Sequence, residues 1–291
     1  MLYMYSCFLK NPIDRKIISP HIITMETTKH ESRQYRYSPL TRYTRNLLKK
    51  VNRGIDTFQL IEEGDRVLVA VSGGKDSLAL LHLLLEHIRF YPAKYHVGAV
   101  HVISDFAPNA VEVREYLAGL FERLEVQAEF LEIEVTRDKN GEYKEPTCFW
   151  CAWKRREALF RYAVGNGYNK IALGHHSDDV AETTMLNLAY HGTLETMLPK
   201  RSFFDGKFDL IRPLFYVRER ELVRFADMAG LDTVTCNCGH APDAKRKMMK
   251  RVVRELSQEA RQLHANLWEA AFEWWQAFGD QPLHKKPRPH N

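Results

Sequence analysis

The sequence lacks any apolar run long enough to cross a membrane, which excludes a transmembrane segment by that criterion. Its first ten residues, MLYMYSCFLK, are apolar, but no basic stretch precedes them and no small-residue cleavage site follows. We therefore predict no signal peptide and no membrane partner, and we expect a cytoplasmic protein. Internal repeats and low-complexity linkers are also absent, which excludes a repeat array.

A strong charge of one sign is missing as well. The sequence has 42 Lys and Arg against 37 Asp and Glu, and this formal charge of only +5 permits a nucleic-acid partner without requiring one. The basic residues are grouped at residues 154–156, within 245–254, and in HKKPRP near the C-terminus. Each group taken alone is typical of a solvated helix face.

Length and composition predict a globular protein with a substantial core, since 45% of the 291 residues are hydrophobic. Residues 1–35 show no sustained periodicity, and we predict a disordered N-terminal extension there. We place the main domain at residues 36–240. Residues 241–291 are predicted to form a C-terminal helical extension with a basic tail.

Strand and helix patterns alternate through the main domain. Short apolar runs predict strands at residues 66–71, 95–102, 128–135 and 170–174. Apolar residues at helical spacing predict helices at about 78–88, 111–124, 149–164, 178–190, 218–230 and 242–278. This alternation is typical of an α/β protein with a parallel sheet and helices on both faces.

The stretch VAVSGGKDSLALL, residues 69–81, joins the first predicted strand to the first predicted helix. Parallel sheets bind ligands at the carboxyl ends of their strands, where a Gly-rich turn lets backbone N–H groups approach phosphate. The residues that we expect at such a site are Ser72, Gly73, Gly74, Lys75, Asp76 and Ser77. Glycine allows close approach, serine offers a hydroxyl group and lysine offers a charge. A capped helix after a tight turn is the alternative.

A second polar segment, LGHHSDDVAETTMLNL, spans residues 173–188. At helical spacing Asp178 and Asp179 each share a face with Glu182, at the beginning of a helix where a carboxylate is favourably placed. Paired carboxylates beside a phosphate loop are natural Mg²⁺ ligands. Helix capping is the alternative explanation.

Four of the five cysteines occur as two pairs. Cys148 and Cys151 form a C-x-x-C where a predicted loop enters a helix, and Cys236 and Cys238 follow in TCNCGH. A lone C-x-x-C fits a redox dithiol, a zinc site or an iron–sulfur site. In a reducing compartment a structural disulfide is less favoured than a metal site, and we predict that these thiols bind a metal.

These segments together resemble a known superfamily. SGGKDS is similar to the PP-loop of enzymes that split ATP between its α and β phosphates, whose fold is the adenine-nucleotide α-hydrolase sheet. In their order, CFWCAWKRR, GHHSDD, MLPK, IRPLFYVRERELVRFA and CNCG resemble the tRNA 2-thiocytidine synthetase family over about residues 45–260. Lysidine synthetases share the GHHxDD segment but lack the cysteines. Glu182 stands where the thiolase branch is expected to have glutamine, and DDVAET is closer to the lysidine pattern.

The resemblance implies ATP and Mg²⁺ as ligands of the PP-loop and its surroundings. It gives Asp178 and Asp179 a role in binding Mg²⁺ or activating the substrate. Together with Lys75, they are the residues that we expect to be catalytic.

The resemblance also implies a 4Fe–4S cluster held by three thiolates, with one iron left open for sulfur. Cys148 and Cys151 are two of these ligands. We expect Cys236 to be the third, because it follows the apolar LDTVT, although Cys238 is the alternative. The family's C-x-x-C-G is one residue longer than CNCG in this chain. A four-cysteine zinc site is the competing explanation.

The predicted function is that of an ATP-dependent tRNA sulfurtransferase that adenylates the C2 oxygen of a cytidine and replaces it with sulfur. The expected partners are tRNA and a cysteine desulfurase or another sulfur donor, and we also consider a homodimer. One alternative is another PP-loop adenylating enzyme, lysidine synthetase-like or acting on a different RNA base or small molecule. A second alternative is a zinc-stabilised nucleotide-binding protein.

Overall fold

The computed structural model describes residues 41–137, 141–204, 206–234 and 244–278. The helices are α1 (Arg42–Phe58), α2 (Lys75–Phe90), α3 (Ala110–Arg123), α4 (Cys148–Gly165), α5 (Ser177–His191), α6 (Glu219–Ala229), α7 (Ala244–Glu259) and α8 (Leu263–Phe278). The strands are β1 (Arg66–Ala70), β2 (His96–Ser104), β3 (Gln127–Ile133), β4 (Lys170–Ala172), β5 (Lys200–Phe203) and β6 (Phe208–Ile211). The predicted N-terminal extension, residues 1–35, lies outside the described residues.

The strands form one sheet in the order β3-β2-β1-β4-β6-β5. All neighbours are parallel except β5, which pairs antiparallel with β6 at the edge. The predicted α/β architecture is therefore confirmed, with one antiparallel edge strand added. The chain moves outward from β1 to β3 on one side and from β4 to β6 on the other. This reversal opens a crevice at the carboxyl ends of β1 and β4, where sheets of this kind bind ligands.

Helices cover both faces of the sheet, as predicted. Val67 and Val69 of β1 belong to the larger core, which α1, α2, α3 and α6 complete. Leu68, between them, belongs to a second core on the opposite face, where Ala163 of α4 packs. This alternation follows from strand geometry, because successive side chains point to opposite faces.

Two parts of the fold were not predicted. One is α1, whose buried residues recur at helical spacing from Leu47 to Ile55 and whose N-cap, Thr41, accepts a 3.1 Å bond from the Thr44 N–H. The other is the β5–β6 hairpin. Both strands have only four residues, and the buried Asp209 interrupts the apolar residues of β6, so β6 is not the continuous apolar run that predicts a buried strand.

The predicted C-terminal helical region consists of two helices. The break falls between α7 and α8, where the Leu263 N–H donates to the Ala260 carbonyl oxygen. Trp268 of α8 packs edge-on against Phe215, with ring centroids 4.5 Å apart, and also contacts Phe58. At least this aromatic residue of the C-terminal stretch therefore packs on the main domain. No helix within the described residues is long and apolar enough to cross a membrane.

Candidate functional site

Chain connectivity brings three of the singled-out segments to the same edge of the sheet. SGGKDS, residues 72–77, follows the carboxyl end of β1, and we refer to it as the phosphate loop. GHHSDD, residues 174–179, follows the carboxyl end of β4. Helix α4 leads the chain from the carboxyl end of β3 back to the amino end of β4. Its first turn, with Cys148 and Cys151, therefore lies at the carboxyl edge as well.

Hydrogen bonds between its own residues fix the shape of the turn after β1. Ser77 Oγ donates to the Gly74 carbonyl oxygen over 2.9 Å and accepts from the Ser72 N–H over 3.1 Å. Gly73 has a φ of +86°, which favours glycine. Among the described residues no side chain caps α2 at Gly74. The N–H groups at the start of α2 therefore have no capping acceptor among the described residues, an arrangement suited to phosphate.

The lack of a side chain at Gly174 lets the loop after β4 contact the first turn of α2. A Cβ atom at this position would lie 2.9 Å from the Ser77 backbone nitrogen and 3.0 Å from the Asp76 carbonyl carbon. Any larger residue would push the loop after β4 away from α2. The sequence analysis did not single out Gly174, although it belongs to the motif that precedes α5.

Lys75 has two carboxylate partners in this structure. Its Nζ lies 3.1 Å from Asp76 Oδ2 and 3.1 Å from Glu219 Oε1, and Glu219 Oε1 lies 2.6 Å from Lys250 Nζ. Burial lowers the pKa of Lys75, but the two carboxylates outweigh burial and raise this pKa above its ordinary value. Glu219 thus links the phosphate loop to α7. The sequence analysis missed Glu219, because no local pattern indicates a partner 144 residues away.

Asp178 is an anchor between helices. Its Oδ1 lies 3.0 Å from both Arg218 Nη2 and His264 Nε2, and its Oδ2 accepts a 2.7 Å bond from the Glu219 N–H. Burial alone would raise the pKa of Asp178, but the His264, Arg218 and Glu219 donors together hold it well below its usual range. The carboxylate therefore joins α5 to α6 and α8. Its predicted role towards Mg²⁺ stays a prediction.

Asp179 is near the phosphate loop and also caps α5. Its Oδ2 accepts a 3.0 Å bond from the His176 N–H, and the Asp179 N–H donates to His176 Nδ1. His176 Nε2 lies 3.4 Å from Asp179 Oδ2 and 3.8 Å from Asp76 Oδ1. Burial raises the pKa of Asp179, His176 opposes the rise and Asp76 adds to it. The structure brings Asp76 and Asp179 together around one histidine.

Asp76 has an acceptor atom with no partner. Its Oδ1 is buried and has no hydrogen-bond partner among the described residues. A buried carboxylate oxygen without a partner costs folding free energy, unless a cation or a water molecule binds to it. Asp76 and Asp179 are therefore compatible with a bound Mg²⁺.

Glu182 lies one helical turn beyond Asp178 and Asp179, as its spacing predicted. Burial and then the charge of Asp179 raise the pKa of Glu182 to about 7, although Lys250 acts in the opposite direction. Near neutral pH the residue is thus often protonated. A protonated carboxyl group resembles the amide of the glutamine expected at this position.

Cys148 and Cys151 occupy the first turn of α4. Thr147 caps this helix, since its Oγ1 accepts a 3.2 Å bond from the Trp150 N–H. Both thiols are free, with Cys148 exposed and Cys151 half-buried against the small core around Val135. Thiols three residues apart on one turn can face the same ion, so these two fit a metal centre.

The sequence analysis assigned the third thiolate to the second cysteine pair. Cys236 and Cys238 lie outside the described residues, as does the basic HKKPRP segment. Within residues 41–137, 141–204, 206–234 and 244–278, no group of three or more His, Cys, Asp or Glu side chains could hold a metal ion. The preference for Cys236 over Cys238 therefore stays a prediction.

Aromatic and basic side chains surround the cysteine turn. Trp150 and Trp153 stack with ring centroids 5.1 Å apart and an interplanar angle of 2°. Lys144 Nζ lies 4.5 Å from the centroid of the Trp150 ring and Lys154 Nζ lies 5.1 Å from it. Phe149, between the two cysteines, is 61% exposed.

The second basic group is an exposed face of α7. Its members with exposed side chains are Lys245, Arg246, Lys247, Lys250, Arg251 and Arg254. Met249 and Val253 form the buried side of the helix. Through Lys250 and Glu219, this positive face connects to Lys75 at the phosphate loop.

Comparison with known families identifies the main part of the chain. The model of the PP-loop domain family matches residues 41–256. This range contains the phosphate loop, both sides of the crevice and the cysteine pair of α4.

Curated relatives match over most of their length. A tRNA-cytidine(32) 2-sulfurtransferase from Syntrophotalea carbinolica is 39% identical over 233 residues, which cover 78% of this chain and 88% of the relative. The protein of the same name from Geobacter metallireducens is 39% identical over 221 residues, which cover 74% of this chain and 84% of the relative.

A solved structure has the same fold. The U34-tRNA thiolase NcsA from Methanococcus maripaludis, solved with its 4Fe–4S cluster, superposes with a TM-score of 0.68. The superposition covers 80% of each chain at 20% sequence identity. Because the sequence identity is only 20%, this structural similarity is evidence for the fold alone.

Proposed function

This chain belongs to the PP-loop family and, within it, to the tRNA-cytidine(32) 2-sulfurtransferases, and we propose that it thiolates a cytidine of tRNA. The reaction uses ATP to adenylate the C2 oxygen of the cytidine and then replaces that oxygen with sulfur. The observation that carries the proposal is the meeting of the phosphate loop, the acidic start of α5 and the cysteine turn of α4 at one edge of the sheet.

The phosphate loop binds the part of ATP that leaves as pyrophosphate. The C2 oxygen of cytidine attacks the α phosphorus, the bond to the β-phosphate oxygen breaks, and pyrophosphate departs. N–H groups at the start of α2 stabilise the negative charge of the phosphates, and Ser72 and Ser77 fix the shape of the loop through their hydrogen bonds. Lys75 supplies a cation once it exchanges a carboxylate for a phosphate oxygen.

Mg²⁺ is part of the proposal, and the structure offers two carboxylates for it. Asp76 has the unpartnered Oδ1 atom, and Asp179 is held on the other side of His176. Asp178 is the weaker candidate ligand, because Arg218, His264 and the Glu219 N–H already occupy its oxygen atoms. It contributes by fixing the start of α5 beside the phosphate loop.

The chain would hold a 4Fe–4S cluster through Cys148, Cys151 and a third cysteine, for which we favour Cys236. When bound, such a cluster supplies a place for the sulfur atom that is transferred. The protein places the first two thiols by capping α4 with Thr147 and by packing Cys151 against the sheet. Sulfur then adds at C2 of the cytidine, and AMP leaves with the former C2 oxygen.

The substrate RNA would approach across two basic surfaces. The exposed cationic face of α7 is suited to RNA phosphates, and it reaches the phosphate loop through Lys250 and Glu219. Phe149 and the Trp150–Trp153 pair, with Lys154 beside them, offer apolar and cationic contacts near the cysteines. An unpaired loop nucleotide can reach such an edge, whereas a base within a helix cannot.

A separate sulfur donor completes the proposal. Each turnover consumes one sulfur atom, and three of the four paired cysteines are needed as ligands. A cysteine desulfurase or another donor must therefore renew the sulfur. A homodimer and a cytoplasmic location remain predictions.

Product analysis with anaerobically purified protein, ATP, sulfide and tRNA tests the proposal. We expect one AMP and one pyrophosphate per 2-thiocytidine formed, and no reaction with a matched tRNA carrying uridine at position 32. ADP and phosphate as the sole products would reject adenylation of the cytidine with release of pyrophosphate. Release of AMP without sulfur in the RNA would instead favour another adenylating enzyme of the same fold.

A further inference from the structure

Glu219, in the first turn of α6, lies between two lysines from different parts of the fold. Its Oε1 atom is 3.1 Å from Lys75 Nζ and 2.6 Å from Lys250 Nζ. Burial raises the pKa of Glu219, but the hydrogen bonds from Lys250 and Lys75 outweigh burial and hold this pKa below its ordinary value. The carboxylate is therefore ionised at neutral pH, and its charge acts on the lysine of the phosphate loop.

The ammonium group of Lys75 is shared between two carboxylates. Its Nζ atom also lies 3.1 Å from Asp76 Oδ2. An ammonium group has three N–H donors, so a phosphate oxygen must either displace one of these carboxylates or bind beside both. In either case anions compete for one cation. The side chains of Lys75 and Glu219 are 26% and 24% exposed, so solvent ions screen this competition less than they would at an open surface.

The two carboxylate partners of Lys75 are not equivalent. Asp76 belongs to the phosphate loop, and its unpartnered Oδ1 atom is compatible with a bound cation. Glu219 comes from another helix, and its own backbone N–H donates to Asp178 Oδ2 over 2.7 Å, which fixes the start of α6. Its side chain also has Lys250 as a second partner. When a phosphate takes Lys75, Glu219 therefore keeps a counterion.

We propose that Glu219 is a positioning residue that competes with pyrophosphate for Lys75, and that Lys250 neutralises the carboxylate when pyrophosphate is bound. Glu219 thereby limits how tightly the phosphate loop holds pyrophosphate, the product that leaves after adenylation. The inference rests on the proposed function in taking pyrophosphate as the ligand of this loop. It concerns the release of a product, to which the sequence motifs assign no residue.

Calorimetric titration of pyrophosphate with Mg²⁺ into the full-length protein, purified anaerobically and kept without tRNA or sulfide, tests the inference. Glu219→Gln removes the charge and keeps both the side-chain length and the backbone donor to Asp178. The variant should bind pyrophosphate about fivefold more tightly than the wild type, the scale of one partly exposed ion pair. Weaker or unchanged binding would overturn the proposal.

Glu221→Gln is the matched control. It removes the same charge from the same helical turn, but the ion-pair partner of Glu221 is Lys50, at 2.7 Å. The affinity for pyrophosphate should therefore stay within about 1.5-fold of the wild type. A gain equal to that of Glu219→Gln would mean that any charge removed from α6 has this effect, and it would contradict a specific competition for Lys75.

A double-mutant cycle shows whether Glu219 acts through Lys75. Lys75→Met should weaken pyrophosphate binding, and adding Glu219→Gln to that variant should give no further gain, because the cation for which Glu219 competes is gone. A full gain in the Lys75→Met background would mean that Glu219 repels pyrophosphate directly. That result would contradict the positioning role.

Lys250→Met tests the other partner and decides the matter even if Glu219→Gln folds poorly. Without this counterion Glu219 depends on Lys75 alone, so pyrophosphate should bind about threefold more weakly. Lys247→Met, which removes an exposed charge from the same helix, is the control and should have a smaller effect. Equal effects of the two substitutions would reflect only the loss of positive charge and would contradict the role of Lys250.

The outcomes also separate this inference from the proposed function. Melting temperatures show whether each variant remains folded. No binding of pyrophosphate by the wild type would reject both. Binding that Glu219→Gln does not strengthen would overturn this inference alone. Failure of thiolation in cells would remove the proposed function and leave the competition for Lys75 intact.

Discussion

The two sides of the crevice are built differently. On the nucleotide side, Ser72 and Ser77 bond to the loop and each other, Gly174 packs against α2, and Asp178 has donors from two other helices, α6 with its N-cap and α8. On the cysteine side, one thiol is exposed, the other is half-buried, and both are free. The loop after β1 is therefore fixed by contacts within the protein, whereas Cys148 and Cys151 have free thiols on the first turn of α4.

The largest expected effect is a loss of iron binding and thiolation without a loss of ATP binding. Cys148→Ser should abolish iron binding and tRNA thiolation, because serine is a poor ligand where a thiolate is required. ATP affinity should stay within about twofold of the wild type, since the preformed loop does not depend on this thiol. Iron and sulfide analysis, together with nucleotide-binding titration, measures both properties.

Cys7→Ser is the matched control for that prediction, because Cys7 belongs to neither cysteine pair. It should retain iron, ATP binding and thiolation. Parallel loss of iron and of ATP affinity in Cys148→Ser would show that the two sides are not independent.

Asp179→Asn should produce the opposite pattern. Its amide oxygen can still accept from the His176 N–H, so α5 keeps its cap. Loss of the charge near Asp76 should slow pyrophosphate release about 100-fold, the scale of one electrostatic contact to the reacting groups. Iron content and melting temperature should stay normal. Unimpaired adenylation would remove Asp179 from the mechanism.

Asp178→Asn should affect stability more than chemistry. The substitution leaves Arg218 and His264 without their carboxylate, which is expected to cost about 3 kcal/mol of unfolding free energy at pH 7. Urea unfolding with Asp227→Asn, an exposed position on α6, as the control measures this difference.

The unfolding free energy that Asp178→Asn removes should depend on pH. Since the folded protein holds the pKa of Asp178 below its ordinary value of about 4, the carboxylate stabilises the fold at pH values above 4. That stabilisation is lost as the pH falls further. The difference between the wild type and Asp178→Asn should therefore shrink in acid. A difference that grows below pH 4 would contradict the anchor role.

The smallest expected effect is that of Glu182→Gln. The folded protein keeps the proton of Glu182 up to about pH 7, while the unfolded chain releases it near pH 4.5, so wild-type stability falls between these values. Because Glu182 is only half-buried, solvent screening reduces the expected gain well below the full value of this shift. The variant should be equally stable at pH 4 and about 1 kcal/mol more stable at pH 8, or about 2–4 °C in melting temperature. Glu259→Gln, at an exposed position on α7, should show no such pH-dependent gain.

Local patterns were sufficient for the elements that build the crevice. The apolar run before SGGKDS predicted β1, and the spacing after it predicted α2. Residues 173–188 likewise indicated the start of α5. These signals depend on neighbours within one or two turns of chain.

The same local patterns could not predict side-chain partners that lie far apart in the sequence. Arg218 and His264 meet Asp178 from 40 and 86 residues away, and Glu219 meets Lys75 from 144 residues away. No periodicity carries such pairings, because tertiary packing alone brings them together. The sequence likewise did not predict the hydrogen bond from the Val234 N–H to the Gly73 carbonyl oxygen.

The central claim is tested most directly by sulfur-specific mass analysis of tRNA nucleosides from cells with and without the gene. The account predicts that 2-thiocytidine disappears without the gene, returns with the wild-type copy and stays absent with Cys148→Ser. Equal amounts of 2-thiocytidine in cells with and without the gene would contradict it.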